Sequence, residues 1–300
     1  MPFGSILAAI MNDLPDNRMD GKRVLVTGAN SGIGRATALG LARLGATVVM
    51  LCRNASRGEK ALRFVRRKSG NDDVHLLLAD LSRSQDIFDV AAEFESRFER
   101  LDVLVNNAAV LTRKRRVTAD GFESQFFVNH LAYFMLTGAL LDVLKRNAPS
   151  RIVNVASTAH KRGIIEWDNL QGEKSFDGWQ QYGNTKLANI LFTRELSERL
   201  EGTGVTVTCL HPGVIHTNLM SNYSVFISTA WHLLQWFFKQ PDEGAETSVY
   251  LASSPGVEGE SGGYYAEGAL SEPTDAARDT AVQRRLWEVS ESLTGYTFPA

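Results

Sequence analysis

Tyr182 and Lys186 stand four residues apart in Tyr182-Gly-Asn-Thr-Lys186, and positions i and i+4 share one face of a helix. An ammonium beside a phenol favours the phenolate and lowers the hydroxyl below its ordinary value of about 10. A phenol tuned in this way gives a proton to a forming alkoxide, or takes one from an alcohol. The pair alone is weak evidence, because surface tyrosine–lysine pairs are common. Its weight comes from Ser157 and from a glycine loop upstream. Ser157 follows the apolar run Arg151–Val155, where a hydroxyl either caps a turn or holds a substrate carbonyl and stabilises its developing charge. Asn129 lies in an otherwise apolar helical stretch, Gln125–Leu144. A buried amide needs partners, so Asn129 either holds a water that connects Lys186 to solvent or is a structural amide.

The glycine loop reads Thr27-Gly28-Ala29-Asn30-Ser31-Gly32-Ile33-Gly34. It follows a β-rich apolar run and opens a helical pattern. Glycines there let the backbone turn tightly and approach a pyrophosphate, while the helix N-terminus offers N–H donors and a partial positive charge. Gly28, Asn30, Ser31, Gly32, Ile33 and Gly34 are therefore candidate dinucleotide contacts. An acidic residue after the second strand would bind a ribose 2′-hydroxyl, but that position reads Leu51-Cys52-Arg53-Asn54. Arg53, helped by Arg57 or Arg35, suits a 2′-phosphate. NADP(H) is thus expected, with NAD(H) as the alternative. Asp80 and Leu81 end the third strand beside the expected adenine. Asn106-Asn107-Ala108-Ala109 ends the fourth, and its small residues suit a wall packed against cofactor.

The elements that must position these residues alternate. Strands are expected at Lys22–Thr27, Ala46–Cys52, Val74–Ala79, Val103–Val105, Arg151–Val155 and Val205–Leu210. Helices are expected at Gly34–Leu44, Arg57–Lys68, Ser84–Phe98, Gln125–Leu144 and about Tyr182–Leu200. This beat implies right-handed crossovers and a parallel sheet covered on both faces. No linker or repeat divides the chain, so one α/β domain over 1–300 is expected. It has a core at about 20–268, a short N-terminal extension 1–19 and a C-terminal tail 269–300.

With 32 basic against 34 acidic side chains, no overall charge favours nucleic acid. The run Arg113-Lys114-Arg115-Arg116 reads as a solvated loop. Cys52 and Cys209, the only two cysteines, lie in apolar runs and read as buried thiols of a reducing compartment. His160, His211 and His216 have no metal-ligand spacing, so no metal is expected. Phe3–Met11 is apolar but too short to span a membrane and has no basic residue before it. A cytoplasmic location is expected, with membrane association as the reservation.

Taken in order, TGxxxGxG at 27–34, Asn106–Ala109, Asn129, Ser157, YxxxK at 182–186 and Pro212-Gly213 with Thr217 resemble the short-chain dehydrogenase/reductase family. Leu51-Cys-Arg53, Asn169–Lys174, Thr185–Phe192 and the long interval between Ser157 and Tyr182 resemble its retinol dehydrogenase-like subgroup. The resemblance implies a Rossmann-type doubly wound parallel sheet of about seven strands. It further implies that Tyr182 is the acid/base, that Lys186 also binds the nicotinamide ribose and that Ser157 orients substrate. Asn129 would organise a relay water, while Pro212, Gly213 and Thr217 would line the nicotinamide carboxamide. Ala109 departs from the family's usual glycine, and Ala156 from a frequent serine. The implied reaction interconverts an apolar aldehyde or ketone, retinoid-, steroid- or lipid-like, with its alcohol. A non-catalytic dinucleotide sensor is the competing class, and retention of Ser157, Tyr182 and Lys186 argues against it. Tyr223–Phe238 is rich in large apolar residues and reads as a substrate lid, with peripheral membrane contact or an oligomer interface, such as a homodimer, as alternatives.

Overall fold

The structure is a computed structural model and describes residues 19–213 and 241–299. Its strands are β1 (Arg23–Thr27), β2 (Thr47–Cys52), β3 (Val74–Leu78), β4 (Val103–Asn106), β5 (Ser150–Val155), β6 (Val205–His211), β7 (Tyr264–Ala266) and β8 (Ala269–Ser271). They form one sheet in the order β3-β2-β1-β4-β5-β6-β7-β8. Every pairing from β3 to β7 is parallel, and β8 closes the edge antiparallel to β7. The β-branched run of β2 is buried along its whole length, as a strand covered on both faces requires. The doubly wound sheet has eight strands where about seven were expected. The added one is the short antiparallel β8, whose three residues carry no periodic signal.

Helices α1 (Gly32–Arg43), α2 (Ala55–Ser69) and α7 (Pro241–Ser253) cover one face. Helices α3 (Ser84–Phe98), α4 (Ala132–Ala139), α5 (Leu141–Arg146), α6 (Gly178–Arg199) and α8 (Thr280–Thr294) cover the other. Local chemistry sets several of their ends. The Asn54 side chain accepts the Arg57 N–H at 2.9 Å to start α2, and Gly70, at φ 71°, ends it in the left-handed conformation. The Asp177 side chain likewise accepts the Gln180 N–H and starts α6 one turn ahead of Tyr182. The helix expected from Tyr182 therefore begins at Gly178, which places Tyr182 in its second turn.

The helix expected over Gln125–Leu144 is broken into pieces. A single turn, Ser124–Phe126, passes into a widened π turn, Phe127–Leu131, before α4 begins, and Leu140 separates α4 from α5. The widened turn carries Asn129, whose side chain bonds outward to Val110. Such turns recur at functional sites.

Residues beyond 268, expected as a tail, supply β8 and α8. Trp287 of α8 is only 2% exposed. Its ring packs on Phe134, Phe192 and Phe298, and the Arg199 guanidinium lies 4.2 Å from its centroid. Trp287→Ala should destabilise the protein by about 3–5 kcal/mol, read as a lower urea midpoint with an unchanged slope. A loss below about 1 kcal/mol would mean that α8 is a dispensable attachment.

Candidate active site

The strand order reverses between β1 and β4, and the loops after these two strands diverge to opposite faces, opening a crevice at their carboxyl ends. Thr27 ties the two loops together. Its Oγ1 accepts the N–H groups of Asn107 and Ala108 at 2.8 and 2.9 Å, and Asn107 Nδ2 donates to the Thr27 carbonyl at 2.8 Å. Gly28, at φ 67°, lets the chain turn here. A Cβ on Gly28 would lie 2.9 Å from Ala108 Cα, and one on Gly34 would lie 2.6 Å from the Gly28 carbonyl oxygen. Ser31 precedes α1 in extended conformation without a side-chain capping bond, and the first turn carries no acid. A loop of minimal bulk beneath an uncapped helix N-terminus fits a pyrophosphate.

A cavity of about 1510 Å³ runs along this crevice. Gly28, Asn30, Ser31, Gly32, Ile33 and Gly34 line its floor. Asp80, Leu81, Asn107, Ala108 and Ala109 line the wall from β3 and β4, while Pro212 and Gly213 lie at the end of β6. Thr217 and the apolar segment 223–238 fall outside the described residues. Asn106 does not face the crevice. Its amide donates to Thr137 and Asn154 at 2.9 Å each, and Asn154 donates to Thr193 at 2.9 Å, a buried polar chain that joins β4, β5 and α6.

At the end of the crevice over β2, the Arg53 side chain is 68% exposed and its guanidinium stands 4.0 Å from Asp80. So exposed a pair contributes little, which leaves Arg53 able to turn toward another anion. Asp80 is itself held, accepting from the N–H and hydroxyl of Ser82 at 3.0 and 2.8 Å. Arg35 and Arg57 line the same region, with the Arg35 guanidinium 4.6 Å from the Phe64 centroid. Cys52 lies beneath, and burial pushes its thiol up to about 12, an inert thiol rather than a nucleophile.

At the opposite end Ser157, Tyr182 and Lys186 share one wall. The Ser157 hydroxyl lies close enough to that of Tyr182 to favour its ionised form. Ser157 also caps the short 3₁₀ helix Thr158–Arg162, accepting the Ala159 N–H at 3.1 Å. The turn-capping alternative for this serine is thus realised, and the residue also lines the cavity. Lys186 is 1% exposed, and its Nζ donates to the Val155 carbonyl at 2.8 Å and lies 5.5 Å from the Tyr182 ring centroid.

The expected lowering of the Tyr182 hydroxyl is not found. Burial pushes it up to about 12, and the nearby Ser157 hydroxyl offsets only part of that rise. Burial also pushes Lys186 down to about 7. Desolvation penalises both charged forms, and burial is the largest cause in each case.

Asn129 is fully buried and does not line the cavity. Its Oδ1 accepts the Val110 N–H at 2.7 Å, while Nδ2 donates to the Val110 carbonyl and to Thr185 Oγ1 at 3.0 and 3.1 Å. The side chain is therefore saturated by protein. It pins the wall after β4 to the helix that carries Lys186.

Several residues of the site were not legible beforehand. Glu123 is buried, accepts the N–H groups of Gln125 and Phe126 at 2.8 Å each and accepts from Gln181, next to Tyr182, at 3.0 Å. Burial raises its carboxyl above the ordinary value. Trp179 lines the crevice one turn before Tyr182. Tyr133 faces Lys186 from α4, with its ring centroid 5.6 Å from Nζ. An aromatic stripe at helical spacing reads as core, and only the packing of α4 on α6 shows otherwise.

The sequence profile of the short chain dehydrogenase family matches residues 22–225. The chain belongs to the short-chain dehydrogenase family. This short-chain dehydrogenase is 46% identical over 293 residues to Retinol dehydrogenase 14 of Homo sapiens, covering 92% of this chain and 87% of the human one. It is 44% identical over 278 residues to Retinol dehydrogenase 11 of Mus musculus, covering 93% and 88% of the two chains. Within its family it is retinol dehydrogenase-like, an oxidoreductase acting on CH–OH groups with NAD(P). An uncharacterized protein from Mycobacterium paratuberculosis shares its fold at a TM-score of 0.78 and 33% identity, covering 96% of this chain and 98% of that one. The Pseudomonas aeruginosa RhlG/NADP active-site complex aligns at 0.68 and 26% identity, covering 84% and 96%. Among the described residues of this short-chain dehydrogenase, no helix is long and apolar enough to cross a membrane.

The buried lysine has a consequence for stability. Lys186 binds its proton more weakly in the folded chain, at about 7, than in the unfolded one. The unfolded state thus holds the extra proton between pH 7 and the ordinary lysine range near 10.4, and this group makes stability rise with pH across that window. Lys186→Met should raise the melting temperature at pH 6–7 by several degrees, narrowing its rise toward pH 9. An unchanged melting curve would mean that Lys186 is solvated.

Proposed function

We propose that this enzyme interconverts an apolar aldehyde or ketone with its alcohol, using NADP(H) and Tyr182 as acid/base. The observation that carries the reading is the convergence of the Ser157 hydroxyl, the Tyr182 hydroxyl and the Lys186 ammonium on one wall of a crevice whose floor is a dinucleotide-type glycine loop. When bound, the nicotinamide supplies or accepts the hydride. Gly28, Asn30, Ser31, Gly32, Ile33 and Gly34 hold the pyrophosphate, and Asp80, Leu81, Asn107, Ala108 and Ala109 flank the adenosine half. Pro212 and Gly213 border the carboxamide.

On this reading the Ser157 Oγ donates to the substrate oxygen and keeps it beside the Tyr182 hydroxyl, where charge develops. With its hydroxyl pushed up to about 12, Tyr182 stands as a neutral phenol at physiological pH, ready to donate. Lys186 orients the ribose and, while charged, eases proton loss from Tyr182 in the oxidative direction. Asn129, bonded to Val110 and Thr185, positions the wall after β4 against the helix that carries Tyr182 and Lys186. Arg53 favours NADP(H), since a guanidinium with one weak, exposed partner can grip a 2′-phosphate. Val110, Leu111 and Trp179 give the crevice an apolar wall beside the reacting groups, which suits the substrate class named for the retinol dehydrogenases. The buried, unpaired Cys52 and Cys209 suit a cytoplasmic or membrane-apposed enzyme in a reducing compartment.

Tyr182→Phe should lower turnover of all-trans-retinal or another apolar aldehyde by about 10²–10⁴-fold while NADPH still binds, as read by fluorescence titration. Unimpaired turnover would sink the mechanism. Arg53→Asp should weaken NADPH by about 10–100-fold and leave NADH within a small factor; equal losses would remove the case for phosphate recognition. Because Tyr182 keeps its proton up to about 12 while Lys186 loses its charge near 7, aldehyde reduction should fall as pH rises through 7 on account of the lysine, and oxidation should gain from Tyr182 only toward the alkaline limit. Parallel profiles in the two directions would assign the proton to another group.

A further inference from the structure

Among the described residues, Lys186 has no counterion. Three groups face its Nζ: the Val155 carbonyl from β5, the Tyr182 ring from its own helix and the Tyr133 ring from α4. Among the described residues no carboxylate forms an ion pair with it. A lone carbonyl is slender compensation for an ammonium that is 1% exposed. The remaining compensation comes from aromatic faces, whose quadrupoles attract a cation within about 6 Å and do so more strongly where water is excluded. The centroids of Tyr182 and Tyr133 stand 5.5 and 5.6 Å from Nζ.

The two rings are not equivalent. Tyr182 lines the crevice, and its hydroxyl lies beside that of Ser157. Tyr133 does not line it, is itself 1% exposed, and its hydroxyl is buried without a hydrogen-bond partner. What Tyr133 offers Lys186 is therefore the face of its ring. It stands four residues after Asn129 on the same succession of turns, so the segment that clamps Val110 also presents this ring.

We propose that Tyr133 is a positioning residue whose ring face, and not its hydroxyl, holds Lys186 in the charged form that the reaction uses. The inference rests on the proposed role of Lys186 for its catalytic meaning, but the protonation of Lys186 can be read without turnover. The burial that pushes Lys186 down to about 7 leaves its charge sensitive to any loss of compensation near neutrality.

The test is a pH titration of the full cofactor-free chain labelled with ¹⁵N-lysine, following the Nζ resonance that disappears in Lys186→Met. Tyr133→Leu should move the midpoint down by about one pH unit, and Tyr133→Phe should leave it in place. If Tyr133→Leu cannot be obtained folded, as judged by circular dichroism, Tyr133→Met serves as the ringless variant of closer volume. An unmoved midpoint in the ringless variant overturns the proposal. So does a Tyr133→Phe midpoint shifted as far as that of the ringless variant, since the hydroxyl would then be responsible. The alkaline limb of kcat/KM for aldehyde reduction, measured on the same proteins, should follow the midpoint. If the midpoint moves and the limb does not, the ring still holds the charge, and it is the role assigned to Lys186 in the reaction that fails.

Discussion

The Thr27 hydroxyl is the point on which the architecture of the crevice depends. A parallel sheet whose helices leave to opposite faces parts its loops at the reversal of strand order, and nothing in the β1–β4 ladder itself holds the two loop bases at a fixed separation. Thr27 does so by accepting two backbone N–H groups, while Asn107 returns a bond to the Thr27 carbonyl. The closure is tight enough that Gly28 and Gly34 admit no side chain. With the loops fixed, the N-terminus of α1 faces the crevice and the wall after β4 lies opposite it. From that wall Val110 receives the Asn129 amide, and through Thr185 the same amide reaches the helix that carries Tyr182 and Lys186. Hydrogen bonds and the backbone between Ala108 and Val110 thus link the glycine loop to the helix that carries Tyr182 and Lys186.

Burial sets the electrostatics at the far end of that chain. The same exclusion of water that makes a hydroxyl or an ammonium effective against developing charge also disfavours the charged forms of Tyr182 and Lys186. The site is therefore a balance between desolvation and a few compensating contacts: one carbonyl, two ring faces and one serine hydroxyl. Glu123 shows the same balance in the scaffold. Three N–H donors around it do not fully overcome its burial, and its carboxyl remains above the ordinary range.

Much of the fold was legible in the sequence because its signals are local. The apolar run of β2, the glycines after β1 and the amphipathic pattern of Ser84–Phe98 each report a nearest-neighbour preference, and α3 has the expected bounds. Where a partner distant in the chain decides the outcome, the sequence was mute or misleading. The break at Asn129 answers to Val110, and β8 exists only because β7 offers it an edge. The C-terminal segment is core because Trp287 finds Phe134 and Phe192.

The sequence by itself determined the ordered set of candidate reacting and cofactor-binding residue types, since spacing along a helix or after a strand end is a property of the chain. The tertiary structure alone decided the protonation tendencies of Tyr182 and Lys186, the saturation of the Asn129 amide and the appearance of Tyr133 beside the lysine. These depend on how much water is excluded and on which remote groups approach, and both are set only when the helices close over the sheet.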